Sequence, residues 1–309
     1  MRIPITTLCV LGLASAASLF VLSTPHVASA GAPAGAMGDS TRAQWGVVLN
    51  LSGKQRMLTQ KMSKEALLVA LDVEKAGNLA SLEKTAALFE RTLTGLRDGD
   101  DGLGLPGTES RRILKQLGKV EAIWAEFQPA VAEVTASGTV TAEQVATIAE
   151  NNLPLLKEMN KCVKLYEKEA AKSGLKSDPD LAVTINLAGK QRMLTQKLSK
   201  ELLLMALGHD VDGNKLNAIE TSALFDQTLA GLIQGDETLG LPGTDDAATL
   251  AQLEKVTALW GEYEPVVARA TASGAGKLSA SDIETLARVN LPLLKEMNAA
   301  VGMFAADAE

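Results

Sequence analysis

Two arginines are the residues of this sequence whose type and spacing best suit binding chemistry. The segment KQRMLTQK occurs at residues 54–61 and again, unchanged, at residues 190–197, with Arg56 and Arg192 at equivalent positions. On a helix that turns about 100° per residue, each arginine shares its face with apolar and small polar side chains. Within about 60° of the first arginine are Leu49, Gly53, Thr59, Gln60, Ser63 and Leu67. The second copy repeats them as Ile185, Gly189, Thr195, Gln196, Ser199 and Leu203.

An arginine on a face that packs against other helices must find a partner, because an unpaired buried charge costs several kcal/mol. Guanidinium donates two parallel hydrogen bonds and so suits a planar oxyanion. Gly53 and Gly189, one turn earlier, allow a ligand or helix to approach the backbone closely. Two interpretations stay open: a small-anion pocket between helices, or a structural arginine paired with a carboxylate or lying in an interface. On the opposite face, Lys54, Lys61 and Glu65 predict a solvated surface.

The elements that must position these arginines come from an internal repeat that spans most of the chain. The segments LGLPGT and NLPLLKEMN also occur twice, which defines modules at residues 42–174 and 179–306. Both modules are rich in Ala, Leu, Glu, Lys and Gln and have no clear period-two stretch, which indicates helices. Glycine-rich breaks divide each module into four helices, so we predict an all-α fold of two tandem antiparallel four-helix bundles. The breaks are at 77–78, 99–107 and 138–141, and at 213–214, 235–243 and 274–279.

Composition excludes several classes of protein. The 309 residues carry a net charge of −7 and are 46% hydrophobic, which is typical of a globular protein and argues against nucleic-acid binding. After the N-terminal segment, His209 and Cys162 are the only residues of their types. A single histidine and a single cysteine exclude a zinc ribbon, an iron–sulfur cluster and an intrachain disulfide. We therefore expect no metal, no cofactor and no enzymatic activity.

The N-terminal residues predict export. Residues 1–30 combine Arg2, an apolar stretch and an Ala-Ser-Ala ending, as in a cleavable secretory signal peptide. An uncleaved N-terminal membrane anchor is the alternative, because the apolar stretch is nearly long enough to span a bilayer. Residues 31–41 are expected to be a flexible leader. The mature protein is therefore expected in the periplasm.

The arginine segments also carry a family likeness. Residues 50–59 and 186–195 share the pattern Asn-x-(Ala/Ser)-Gly-x-x-Arg-Met-x-Thr. This pattern resembles the N-terminal sensing domain of type IV pili methyl-accepting chemotaxis transducers (PilJ-type) and the related periplasmic domain of nitrate/nitrite sensor kinases (NarX-like). The resemblance implies a four-helix sensor in which the motif arginine and glycine bind an anion at a dimer interface. Carried over, it assigns these ligand-binding residues: Arg56, Arg192, Gly53, Gly189, Asn50, Asn186, Thr59, Thr195, Gln60 and Gln196.

These observations predict an exported protein that senses or binds a small oxyanion such as nitrate or nitrite, without its own output domain. A signal would then pass to a membrane sensor or transducer protein. If the two modules pack as the subunits of a dimer, Arg56 faces Arg192 in one chain and one anion binds per chain. A homodimer that pairs like modules is the other geometry. The alternative function is a ligand-free structural or interaction module of the cell envelope or of the type IV pilus and chemotaxis system.

Overall fold

The computed structural model describes residues 42–173, 179–274 and 277–306. The predicted signal peptide and leader lie outside the described residues. The described part of the chain forms long α-helices and no strand, which confirms the all-α prediction of tandem bundles. Among these helices, none is both long and apolar enough to cross a membrane.

Each module contributes four helices. In the first module they are α1 (Arg42–Ala70), α2 (Lys75–Asp98), α3 (Arg111–Ser137) and α4 (Ala142–Lys172). In the second module they are α5 (Pro179–Ala206), α6 (Val211–Gln234), α7 (Ala247–Thr271) and α8 (Ala280–Ala306). Within each module the first helix packs against the second and fourth, and the third packs against the second and fourth. The four helices therefore close around one core in each module.

Local sequence explains where the helices begin and end. Thr141 caps α4 through a capping box with Gln144, as a threonine followed three residues later by glutamine indicates. The expected break at residues 77–78 is wrong, because the chain reverses earlier and α2 already begins at Lys75. The amide of Asn78 instead donates to the carbonyl of Val73 at 2.9 Å and so stabilises the turn from inside the helix. The second module repeats this arrangement, and residues 213–214 lie inside α6.

An aromatic pair lies in the core of each bundle. The ring centroids of Phe89 and Trp124 are 4.7 Å apart, and those of Phe225 and Trp260 are 4.3 Å apart. All four side chains are buried. The tryptophans therefore serve packing, since ring contacts at this distance are typical of hydrophobic cores.

Gly107 and Gly243 close the loops that follow α2 and α6. Both have positive φ, and a Cβ on Gly107 would lie 2.8 Å from the backbone of Asp98. We expect Gly107→Ala to destabilise the protein by about 3 kcal/mol, because it adds a left-handed strain and a backbone clash. Gly118→Ala is the control, since this glycine lies inside α3 with open space around it. Denaturant unfolding should show that Gly118→Ala raises the free energy of unfolding by about 0.5–1 kcal/mol. If Gly107→Ala and Gly118→Ala changed the free energy of unfolding equally, the prediction would be contradicted.

Helices α1 and α5 are the interior helices of the molecule. They pack against each other along the seam between the modules, and each also packs against two helices of its own bundle. The prediction that Lys61 and Glu65 lie on a solvated face is therefore wrong: Glu65 is 1% exposed. Lys61 forms an ion pair with Glu65 and donates to Thr85 of α2 at 2.7 Å. A helix covered on several sides has no solvated face, so its charges must pair internally.

Candidate functional site

Arg56 lies in the seam between α1 and α5 and is 5% exposed. Its Nη1 donates to Oδ1 of Asn160 on α4 at 3.0 Å. Its Nη2 donates to Oδ1 of Asn186 on α5 at 3.1 Å, so this arginine joins the two modules. Its Nε reaches the carbonyl of Gly53 at 3.4 Å. All three nitrogens of the guanidinium therefore have protein acceptors.

Arg192 occupies the equivalent position on α5 and is 6% exposed. Its Nη1 donates to Asn298 on α8 at 2.8 Å, and its Nε reaches the carbonyl of Gly189 at 3.4 Å. Asn50, the counterpart of Asn186, is exposed, and no hydrogen bond among the described residues joins it to Arg192. The arginine positions match between the modules, but their hydrogen bonding does not.

Four cations converge on this part of the seam. Burial, and after it the charge of Arg56, lower the pKa of Arg192 to about 10. Burial also lowers the pKa of Lys54, with Arg192 as the next cause. The pKa of Lys190 is lowered in the same way, first by burial and then by Arg56. Arg56 of the first module therefore lowers the pKa of Lys190 and Arg192 in the second, and Arg192 lowers that of Lys54 in the first.

Glu167 on α4 is the carboxylate that faces this cluster. Burial lowers the pKa of Arg56, while the negative charge of Glu167 opposes that effect. Burial raises the pKa of Glu167 itself, against the opposing effects of Arg56, Lys164 and Lys190. Within the described residues, neither arginine forms a direct ion pair with a carboxylate. The cluster therefore keeps an excess of positive charge.

The two motif glycines leave room beside the arginines. A Cβ at Gly53 would lie 3.5 Å from Nη2 of Arg56, and one at Gly189 would lie 3.4 Å from Nη2 of Arg192. These are ordinary contact distances, so the glycines are not required by a clash. As glycines, they place no side chain of their own beside the Nη2 atoms.

Four motif residues assigned from the resemblance form an adjacent polar layer. Thr59 Oγ1 donates to the backbone carbonyl of Arg56 at 2.8 Å, and Gln60 donates to Thr59 at 3.0 Å. Thr195 and Gln196 repeat both bonds in the second module. These side chains therefore bond to the helix backbone and to one another, and they support the arginines without contacting the guanidinium groups.

Two lysines extend this polar layer across the seam. Lys64 on α1 donates to Oδ1 of Asn290 on α8 at 2.9 Å, and Lys200 on α5 donates to Asn152 on α4 at 3.3 Å. Each lysine is 2% exposed. Burial lowers the pKa of both to about 8. Each module thus provides a lysine that bonds to the equivalent asparagine of the other module. This reciprocal pair of contacts arranges the two modules like the subunits of a twofold dimer within one chain.

The sequence assignment included Asn186 but missed Asn160, Asn298 and the nearby carboxylate of Glu167. Asn160 and Asn298 are the last residues of the repeated segment NLPLLKEMN, so their repetition was the available signal. Glu167 is not repeated and gave no such signal. Within the described residues, no group of three or more His, Cys, Asp or Glu side chains is placed to hold a metal ion.

Comparison with known proteins places this arrangement in a family. The family profile described as type IV pili methyl-accepting chemotaxis transducer N-term (PilJ) matches residues 43–149 and 175–285, once in each module. A methyl-accepting chemotaxis protein of Pseudomonas aeruginosa, McpN, is 30% identical over 126 residues, which cover 41% of this chain and 22% of that protein. No solved structure matches the chain. The chain belongs to the family of type IV pili methyl-accepting chemotaxis transducer N-terminal domains, and it carries two tandem copies of that sensory domain.

Proposed function

We propose that the protein is an exported, non-enzymatic sensor that binds one small oxyanion of the nitrate or nitrite type between α1 and α5. The observation that supports this proposal is the convergence of Arg56, Arg192, Lys54 and Lys190 on one seam. Among the described residues, Glu167 is the carboxylate whose charge acts on Arg56 and Lys190 there. Unneutralised buried cations destabilise the ligand-free state, so an anion that neutralises them binds strongly. Its ligand would be held in a low-dielectric environment, where charge-assisted hydrogen bonds are strong.

The geometry favours a small, planar anion. The Nη1 atoms of both arginines already donate to Asn160 and Asn298. Nη2 of Arg192, beside Gly189, has no hydrogen bond among the described residues and is the position from which this arginine reaches a ligand, whereas Nη2 of Arg56 would exchange its bond to Asn186 for one to the anion. A planar oxyanion with one negative charge can accept two parallel hydrogen bonds from a guanidinium. It also loses less hydration free energy on burial than sulfate or phosphate does.

The family supports a role in signalling through a membrane partner. The Pseudomonas relative is described as a methyl-accepting chemotaxis protein, and the aligned region is about a fifth of that protein. We propose that this chain is exported to the periplasm by the signal peptide at residues 1–30 and that its ligand state is read by a membrane transducer. In that arrangement, α1 and α5 are the moving parts, because both contribute arginines to one ligand.

Titration calorimetry with nitrate, nitrite, sulfate, phosphate and chloride tests the proposal. We expect one nitrate or nitrite per chain, with a raised melting temperature because the ligand binds only the native state. The double variant Arg56→Ala/Arg192→Ala should not bind. Two independent sites, unchanged binding by the double variant, or no binding at millimolar anion would each overturn the proposal.

A ligand-free structural or interaction module is the second candidate. One observation favours it: the guanidinium of Arg56 already has acceptors on all three nitrogens within the protein. For this function, anions leave the melting temperature of the wild-type protein unchanged. The same titrations therefore separate the two candidates.

A further inference from the structure

The two halves of the seam differ in one charged residue. Asn160 and Glu167 are seven residues apart on α4, so they lie within about 20° on the same helix face. Asn160 accepts the hydrogen bond from Arg56, which places Glu167 two turns further along the side of α4 that faces the cluster. On α8, Asn298 holds Arg192, and the residue seven positions later is Ala305. The carboxylate therefore serves the first arginine alone.

The hydrogen bonding of the arginines follows the same asymmetry. Arg56 donates to two asparagine oxygens and a carbonyl, and Arg192 donates to one asparagine oxygen and a carbonyl. Burial lowers the pKa of both arginines, but Glu167 offsets the effect only for Arg56, whereas Arg56 adds to it for Arg192. Arg192 is therefore the less compensated cation of the pair.

We propose that Glu167 is a built-in counter-anion that competes with the bound oxyanion on the Arg56 side, so that Arg192 supplies most of the anion affinity. This inference rests on the proposed anion-binding function and specifies how that site is regulated. A carboxylate fixed beside the cluster lowers its positive potential and weakens the binding of any second anion. Protonation of Glu167 removes that competition.

The pH dependence follows from the groups that face Glu167. These are Arg56 on α1, Lys190 on α5 and Lys164 on α4 itself, and the positive charge of each opposes the effect of burial on the pKa of Glu167. Lys64 and Lys200, on the same interior helices, titrate at about 8 and keep their charge at lower pH. Because burial raises the pKa of Glu167, acidification protonates this carboxylate before it protonates a solvent-exposed glutamate. Nitrate should then bind more tightly at lower pH.

Calorimetry with nitrate on four proteins tests the inference: the wild type, Glu167→Gln, Ala305→Glu and Glu169→Gln. We expect Glu167→Gln to tighten binding by about five- to tenfold at pH 7 and to remove the pH dependence. Ala305→Glu, which gives the second module the same carboxylate, should weaken binding by a similar factor. Glu169→Gln is the control, because this residue pairs with Lys172 away from the cluster and should leave the affinity unchanged.

Melting temperatures without added anion supply a readout that needs no ligand. Glu167→Gln should lower the melting temperature and Ala305→Glu should raise it, because the cations lose or gain a counter-charge. Binding with the same affinity in the wild type and in Glu167→Gln would overturn the inference and leave the proposed function intact. If no protein binds nitrate but the melting temperatures shift as expected, the proposed function fails and the counter-charge role of Glu167 is supported.

Discussion

Lys61→Met is expected to destabilise the protein by about 3–5 kcal/mol at pH 7, because it leaves the carboxylate of Glu65 buried without its cation. Glu65 is 1% exposed, and one of its oxygens already lacks a partner among the described residues. Lys61 also donates to Ser81 and Thr85 on α2, at 2.9 and 2.7 Å. Removing the lysine therefore weakens the contact between α1 and α2 as well.

Lys64→Met is the matched control, because Lys64 lies three residues after Lys61 on the same helix. We expect this substitution to stabilise the protein rather than destabilise it. Lys64 is buried, and Asn290 in the second module is its hydrogen-bond acceptor. Its pKa, lowered from 10.5 to about 8, corresponds to an unfavourable burial of about 3 kcal/mol for the charged form. Gln196 still donates to Asn290 in the variant, so a flexible apolar side chain should stabilise the protein by about 1–3 kcal/mol.

Denaturant unfolding at several pH values measures both effects. For Lys64 and Lys200 the folded-state pKa of about 8 is below the unfolded value, so stability rises as the pH rises from about 8 to about 10. Lys64→Met should lose about half of that rise. If Lys61→Met and Lys64→Met destabilised the protein equally, the prediction would be contradicted, because it treats Lys61 as ion-paired and Lys64 as a buried cation without an ion pair among the described residues.

Arg192→Met is expected to reduce nitrate affinity at least about a hundredfold and, without added anion, to stabilise the protein by about 1–2 kcal/mol. The affinity falls because the less compensated cation of the seam is lost. The stability rises because burial and Arg56 both disfavour the charged form of Arg192, whose pKa is lowered to about 10. Such an exchange of stability for binding is typical of functional sites.

Arg56→Met provides the comparison. This arginine bonds to both modules through Asn160 and Asn186, and Glu167 faces it. Without Arg56, the half-buried carboxylate of Glu167 loses one of the positive charges that neutralise it, and the hydrogen bond to Asn186 across the seam is lost. We therefore expect Arg56→Met to destabilise the protein by about 1–3 kcal/mol. Calorimetry and thermal unfolding of the two variants check the prediction. If Arg192→Met has a lower melting temperature than Arg56→Met in the absence of anion, Arg192 is not the less compensated of the two arginines and the prediction is contradicted.

The sequence predicted the elements because helix formation depends largely on local patterns. The duplicated segments at residues 54–61 and 190–197 defined the modules, and the capping residues of α4 marked its start. The same duplication pointed to Arg56 and Arg192 as unusual charges on a helix face that packs. The likeness to the PilJ-type domain that was drawn from those segments is confirmed by the family matches in both modules.

Only the tertiary structure decided which surfaces of α1 and α5 are covered. A helical wheel separates two faces, but a helix that packs against its own bundle and against its counterpart is buried on nearly all sides. Lys61, Lys64 and Glu65 are polar in sequence yet buried, and their environments depend on residues far away in the chain. The hydrogen-bond partners of the arginines and the position of Glu167 beside Arg56 were decided in the same way. The sequence by itself determines which residues carry a charge. Which groups neutralise each charge is determined only by the tertiary structure, because the interacting groups come from different helices and from both modules.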